Sequence, residues 1–371
     1  MGRERVIVGM SGGVDSSVAA LLLIEQGYAV EGLYMFNWAE DEQGYCTAAE
    51  DYQDAARVCD ELKIPLHRSD FSTEYRERVF KYFLNEYAAG RTPNPDVLCN
   101  REIKFKSFLE HARRLGAERI ATGHYARLRH DEQGRAQYTR LLRARDTHKD
   151  QTYFLCAVPA TALSQVFFPL GALLKSEVRA IAAKRGLAVH DKKDSTGICF
   201  IGERRFRDFL AGYLPAKPGP ICAELSGGET RTLGSHQGLM YYTLGQRRGL
   251  GIGGQQQAGE QAWYVVDKDI DSNTLWVSQQ PHHPKLHRRS LRTETMHWIG
   301  AAPELPLRCT ARIRHRHADQ ACRVQAASET DAGGLVVEFD DPAHAPTPGQ
   351  FVALYQDEIC LGGAAITAVA T

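Results

Sequence analysis

The sequence predicts an α/β protein: a doubly wound parallel sheet, then a small β-rich central domain, then a C-terminal β-barrel. Three observations carry this. From Val6 to Tyr125, short apolar runs alternate with helical patterns, the signature of parallel strands joined by crossover helices. Pro215, Pro218, Gly219 and Pro220 then interrupt the chain. From about residue 281 onward, strand-like segments follow one another with only turns between them. The expected domains are 1–205, 206–280 and 281–371.

Val6-Ile7-Val8 reads as a buried strand running into Gly9-Met10-Ser11-Gly12-Gly13-Val14-Asp15-Ser16-Ser17. A helical pattern follows to about Gln26, closed by Gly27. Further strands are expected over 29–36, 65–70 and 119–125, and helices over 47–62, 72–89 and 101–115. Ligands of such sheets lie beyond the carboxyl ends of the strands. The opening loop, Met35 and Gly123-His124 all fall on that edge and are expected around one nucleotide. A hairpin over 126–145 turns at Asp131-Glu132-Gln133-Gly134, and short helices follow at 150–157 and 175–185, the second stopped by Gly186. In the central domain, 263–267 and 274–277 read as strands. Barrel strands are expected near 307–314, 320–326, 335–339, 351–355 and 359–367.

Composition narrows the function. With 371 residues, 43% hydrophobic and 24% charged, the chain is an ordinary globular protein of two or three domains. It has no apolar run of 18 residues and no signal-peptide pattern, so a cytoplasmic protein without a membrane partner is expected. Net charge is zero, yet Arg127, Arg129, Arg135, Arg140, Arg143, Arg145 and Lys149 crowd one segment, and Arg312, Arg314, Arg316 and Arg323 another. Two basic segments in a neutral chain read as either a localised polyanion footprint or solvated surface. The nine cysteines include no Cys-x-x-Cys, which argues against a zinc knuckle or an iron–sulfur cluster held by such a pair. No resident metal centre is expected. Gly249-Leu250-Gly251-Ile252-Gly253-Gly254 matches a dinucleotide fingerprint by letter, but no strand leads into it and no helix follows. It reads as a loop, near Gln246, Arg247 and Arg248.

Chemistry concentrates in three stretches. Gly12 and Gly13 can take positive φ, and the serines and the start of the helix add donors, a combination suited to phosphate or pyrophosphate. Gly-Lys occurs nowhere, so this is not a Walker A loop. Asp15 beside polyphosphate implies Mg²⁺, or else a helix cap. Cys99 follows the proline-stiffened Thr92-Pro93-Asn94-Pro95-Asp96 and lies just ahead of the helix expected from Arg101, where dipole and guanidinium favour thiolate. Cys199 lies in a glycine-containing loop downstream of Lys192 and Lys193. Neither sits in an apolar periodic run, so both read as reactive.

The word SGGVDS after an N-terminal strand resembles the PP-loop of ATP pyrophosphatases. Together with TPNPDVLCNREIKF, ATGHYA, KDQTYFL, DSTGICFIG and the central Tyr242-Thr243-Leu244-Gly245-Gln246-Arg247, the chain resembles the tRNA-specific 2-thiouridylases. The likeness is weakest beyond about residue 280. It implies ATP-dependent sulfur transfer to C2 of the wobble uridine in tRNAs for Lys, Glu and Gln. By the same resemblance, Gly9, Met10, Ser11, Gly12, Gly13, Val14, Asp15, Ser16, Met35 and Gly123 hold ATP with Mg²⁺. Cys199 carries a persulfide received from a donor protein, and Cys99 attacks it, leaving a disulfide for an outside reductant. Asn94, Pro95 and Asp96 line the target base, with Asp96 a general acid/base. His124, Lys149, Asp150, Gln151, Arg314, His315 and Gln350 contact tRNA. His315 departs from the family, where an aromatic residue commonly follows the arginine. Two other readings stay open: a PP-loop ligase acting on a small molecule, and an RNA-binding protein using ATP as a structural ligand.

Overall fold

The computed structural model describes residues 3–38, 48–193, 206–224, 229–252, 261–327 and 333–370. Cys199 with its whole sequence word, 194–202, and the end of the Gly249–Gly254 match lie outside these residues.

The first domain is built on a parallel sheet of five strands. These are β1 (Arg5–Gly9), β2 (Ala29–Phe36), β3 (Leu66–Asp70), β4 (Arg119–Ala121) and, after the hairpin β5 (Arg127–Arg129) and β6 (Arg140–Leu142), β7 (Val166–Phe167). Their order is β3-β2-β1-β4-β7, every neighbour parallel. Val6, Ile7 and Val8 are fully buried because helices cover both faces, and that is why the run reads as continuously apolar. On one side α1 (Val14–Glu25) packs Val14, Val18 and Leu21 against Val178 and Ala182 of the helix Lys175–Lys184. Gly186 then ends that helix with φ +67°, as Gly27 follows α1 with φ +90°.

Two departures from the sequence expectation matter for the site. Strand β4 stops at Ala121, and the chain turns so that Gly123 lies flush on the first turn of α1; a Cβ there would stand 2.7 Å from the Asp15 carbonyl carbon. The helix expected from residue 101 begins at Pro95. The helical segments Pro95–Leu98, Cys99–Ser107 and Phe108–Arg114 run on without a break other than a local distortion at Phe105. Proline suits a first helical turn, where its missing N–H is not needed and its φ is already helical. Asn94 ahead of it is extended, at φ −115° and ψ 93°.

The central sheet has four strands, in the order Tyr264–Asp269, Thr274–Ser278, Gly219–Glu224 and Thr230–His236. Residues 242–252 carry neither strand nor helix, which agrees with a loop rather than a dinucleotide site. The barrel closes six strands in the order His287–Thr293, Leu335–His344, Gln320–Ala326, Leu307–Arg312, Phe351–Gln356 and Ile359–Ala370, the last pairing back with the first. Val324, Val337, Val352 and Leu354 fill its interior. The start of the final strand, Ile359 and Cys360, also pairs with Leu142 and Leu141 of β6, which joins barrel and first domain in one hydrogen-bonded sheet. Among the described residues, no helix is long and apolar enough to cross a membrane.

Candidate active site

At the carboxyl edge of β1 the chain forms an anion-ready loop. Met10 N–H donates to Leu33 O at 2.9 Å, fixing the strand exit. Gly12 takes φ +71° and abuts α2 (Ala48–Leu62), where an added Cβ would stand 2.2 Å from Asp51 O, so only glycine fits. Ser16 Oγ accepts from Ser11 N–H at 3.2 Å and donates to Gly13 O at 3.1 Å, holding the loop against the helix. Gly13 caps α1 with no side-chain acceptor, so no local side chain covers the first-turn N–H groups. This donor set fits a polyphosphate. The Phe108 ring and Met35 close over Gly9, 3.3 and 3.5 Å from where a Cβ would be. Gly9, Met35, Gly123 and the loop therefore share one edge.

Asp15 is held by two side chains from beyond its own helix. Both its oxygens accept from Lys175 Nζ at 2.8 Å, and Oδ1 also accepts from Tyr125 Oη at 2.8 Å. A carboxylate neutralised in this way supplies no argument for Mg²⁺, and it is not the helix cap. Lys175 and Tyr125 are functional neighbours the sequence did not reveal, since the lysine is 160 positions away. Lys192 was also missed in this role: its Nζ donates to Gly12 O at 3.1 Å and pairs with Asp51 and Asp54. The segment entering the Cys199 word is thus tied to the glycine loop.

The helical run from Pro95 passes antiparallel to β1. Near its end Gly116 meets Arg5 at the amino end of the strand, and Phe108 meets Gly9 at the carboxyl end. Its first turns, with Asp96 and Cys99, therefore stand beyond the carboxyl edge, Cys99 roughly 13 Å along the axis from Phe108. Cys99 is only 1% exposed and packs with Val97, Leu98 and Ile103. The expectation of a thiol just ahead of a helix is corrected: it lies one turn inside, because the helix starts early. Burial pushes the Asp96 carboxyl above the usual carboxylate range, with Lys104 only partly opposing. The buried Asn94 Oδ1 and Asn100 Oδ1 lack hydrogen-bond partners. An unsatisfied amide oxygen beside a desolvated carboxyl suits a ligand edge that carries both donor and acceptor.

The barrel supports this tip. Gln350 Nε2 donates to Thr92 O at 2.8 Å and Pro93 O at 3.3 Å, and Thr92 N–H donates to Pro348 O at 3.0 Å. Between them Gly349, at φ +91°, lies so close to Thr92 that a Cβ would stand 2.9 Å from its backbone.

Other residues expected to touch RNA hold the domains together. Asp150, 2% exposed, accepts from Ala144 N–H, Thr152 Oγ1 and Arg312 Nη1 at 2.9, 2.8 and 3.1 Å, with Arg143 Nη1 at 3.7 Å. Arg143 and Arg312 also share Asp319, and Arg143 lies over the Tyr355 ring. The two basic segments do converge, but these guanidinium groups are neutralised on each other's domains. Gln151 exchanges hydrogen bonds with the Tyr125 backbone at 2.9 Å. Arg314 donates to Leu244 O, Ala345 O and Thr347 Oγ1, bridging central domain and barrel. His124 is buried between Phe105 and Phe168, bonded to Thr122 Oγ1 at 2.7 Å, and burial holds it neutral. His315 donates to Asp150 O at 2.9 Å and lies 4.5 Å from the Phe154 ring centre; Lys149, next to Asp150 in the chain, is half-buried. Asp150→Ala leaves Arg143 and Arg312 with Asp319 as their one shared carboxylate and the buried Ala144 N–H without its acceptor, and a loss of about 1–3 kcal/mol is expected, read as an earlier denaturant midpoint.

A glycine-rich strand-to-helix loop at the carboxyl edge of a β3-β2-β1-β4-β7 sheet defines the first domain as a PP-loop nucleotide domain. The family model described as the tRNA methyl transferase HUP domain matches residues 4–203, that of the tRNA methyl transferase PRC-barrel domain 207–279, and that of the aminomethyltransferase beta-barrel domain 288–366. The chain is 57% identical, over 98% of its length and 92% of the relative's, to a tRNA-specific 2-thiouridylase MnmA from Chromohalobacter salexigens. For the enzyme of that name from Pseudomonas fluorescens the values are 56%, 98% and 95%. The chain belongs to the tRNA-specific 2-thiouridylase family. Solved structures align loosely. A U34-tRNA thiolase from Methanococcus maripaludis shares 20% identity at a TM-score of 0.34, covering 56% of this chain and 63% of its own. An NMN synthetase from Francisella tularensis shares 18% at 0.33, covering 52% and 67%.

Proposed function

We propose that this protein replaces the C2 oxygen of the wobble uridine in tRNAs for Lys, Glu and Gln with sulfur. Support comes from family membership over nearly the whole chain and, above all, from one placement. The anion-ready loop and the helix tip with Asp96 and Cys99 stand on the same sheet edge.

ATP supplies the activation, an adenylyl group that lets the C2 oxygen leave as AMP after diphosphate is released. The residues from Gly9 to Ser16, with Met35 and Gly123, hold the nucleotide, the N–H groups of the α1 start taking the charge that develops on diphosphate. Mg²⁺ accompanies the phosphates. A uridine within a folded anticodon stem-loop is reached only when splayed outward. Asn94, Pro95 and Asp96 receive its edge, and Asp96 moves the proton.

Cys199, loaded by a persulfide-donor protein, brings the sulfur. Cys99 attacks the inner sulfur of that persulfide, and two electrons pass from the thiols to the outer atom. This atom reaches C2 as hydrosulfide or in concert, and a Cys99–Cys199 disulfide remains for an external two-electron reductant. Lys149 and His315 face the RNA, while Asp150, Gln151, Arg314 and Gln350 keep the domains that grip it in register.

The test is mass spectrometry of the wobble nucleoside after incubation with ATP, Mg²⁺, unmodified tRNA and a persulfide source. Sulfur in place of oxygen is expected, and both Cys99→Ser and Cys199→Ser should abolish it. Full turnover in both variants would favour a ligase acting on a small molecule. Absence of tRNA-stimulated ATP–diphosphate exchange would favour a binding protein.

A further inference from the structure

Inside the barrel, two thiols that take no part in the chemistry above face each other. Cys309 and Cys322 are register partners on the antiparallel strands Leu307–Arg312 and Gln320–Ala326. Their Sγ atoms stand 3.8 Å apart, and both are thiols in this structure. Cys322 is buried in the barrel core, while Cys309 is half-buried. We propose that Cys309 and Cys322 form a reversible disulfide site, oxidised by small disulfides of the glutathione class, that locks the barrel excursion between them.

The geometry needs little adjustment. Register partners on antiparallel strands have Cα atoms about 4.5–5.5 Å apart, inside the roughly 4.4–6.8 Å span of disulfides. The sulfurs must close to about 2.0 Å, a change that side-chain rotation supplies without re-pairing the strands. The hydrogen bond between the two thiols holds Cys309 below its ordinary range, and the same bond, with burial and the Cys309 charge, pushes Cys322 up. Cys309, the more accessible of the two, is therefore the attacking thiolate.

It attacks one sulfur of the small disulfide and expels the other half as a thiol. Cys322 gives up its proton, attacks Cys309 Sγ and expels the second half. The protein loses two hydrogens and two electrons, and the small disulfide becomes two thiols.

The segment so closed carries the barrel's grip on its neighbours. Arg312 reaches Asp150, His315 reaches the Asp150 carbonyl, and Arg314 reaches Leu244 in the central domain. A cross-link at its base removes freedom from the opened form. Oxidation should therefore protect this seam, and not the nucleotide loop.

The experiment uses the full chain carrying Cys99→Ser and Cys199→Ser, equilibrated with mixtures of oxidised and reduced glutathione. Peptide mapping without reductant should find Cys309 joined to Cys322, two hydrogens lighter. Alkylation of Cys309 should fall about tenfold, and hydrogen exchange over 313–319 should slow while that of α1 does not change. With Cys322→Ser, Cys309 should instead retain a glutathione adduct. The proposal fails if Cys309 stays alkylatable in oxidising mixtures. It also fails if a glutathione adduct persists beside an intact Cys322, or if exchange slows equally everywhere.

Discussion

Asp96→Asn is expected to lower thiolation by about 10²–10⁴-fold while raising thermal stability at neutral pH. On the role proposed for Asp96, activity falls because an amide cannot exchange the proton that the carboxyl would move at the uridine edge. Stability rises because Asp96 is desolvated and its carboxyl is held above the ordinary range. The pH dependence has a definite sign. Below the ordinary carboxylate pKa, Asp96 is protonated in both folded and unfolded chains, and burial favours neither residue strongly. As pH rises through the raised folded value, the unfolded chain ionises freely while the folded one must bury the charge, so stability is lost. Asparagine carries no such penalty. The gain in Tm should grow over that interval and then level off. Melting curves of both proteins between about pH 4 and 8 decide it, and a Tm difference independent of pH would contradict the argument.

Gly349→Ala should cost about 100-fold or more in thiolation with ATP affinity unchanged. The glycine sits at φ +91°, where a side chain is strained, and its Cβ would press on the Thr92 backbone at 2.9 Å. Thr92 cannot yield as a flexible side chain could. It leads directly into Asn94 and Asp96, so relief of the clash displaces the helix tip. The nucleotide loop is held by separate contacts, to α2 and Lys192. Gln350→Ala removes the two carbonyl contacts without a clash and should give a smaller loss in the same direction. Equilibrium ATP binding measured beside single-turnover thiolation separates loop displacement from general damage. Equal loss of both would place the effect elsewhere.

What the sequence revealed and what it hid follow from the physics of each element. The core strands of the first sheet were legible because burial on both faces makes them continuously apolar. Strand β7 was not, since Val166–Phe167 is two residues long. The strand His287–Thr293 that closes the barrel was hidden for another reason: only Leu291 and Thr293 are buried, and histidine and arginine occupy much of the rest. The start of the Cys99 helix is not legible, because proline stiffens extended chain and equally favours a first helical turn, the role Pro95 takes here. Loop glycines signal their backbone role locally, so the nucleotide edge was readable. The partners of Asp15, Asp150 and Gln350 were not, for they lie 160, 162 and 258 positions away. A charged or amide residue in a motif shows what it can bond, not whether its bond is spent inside the protein.

The strand Ile359–Ala370 completes the barrel, meets β6 and returns against the turn that steadies Thr92. It is also made after everything it supports. A growing chain on the ribosome therefore carries the glycine loop and the helix of Asp96 and Cys99 well before the strand that steadies Thr92. On the roles proposed above, a polypeptide cut short ahead of this strand would keep the residues of the fuel pocket and lose the brace that aims the tool.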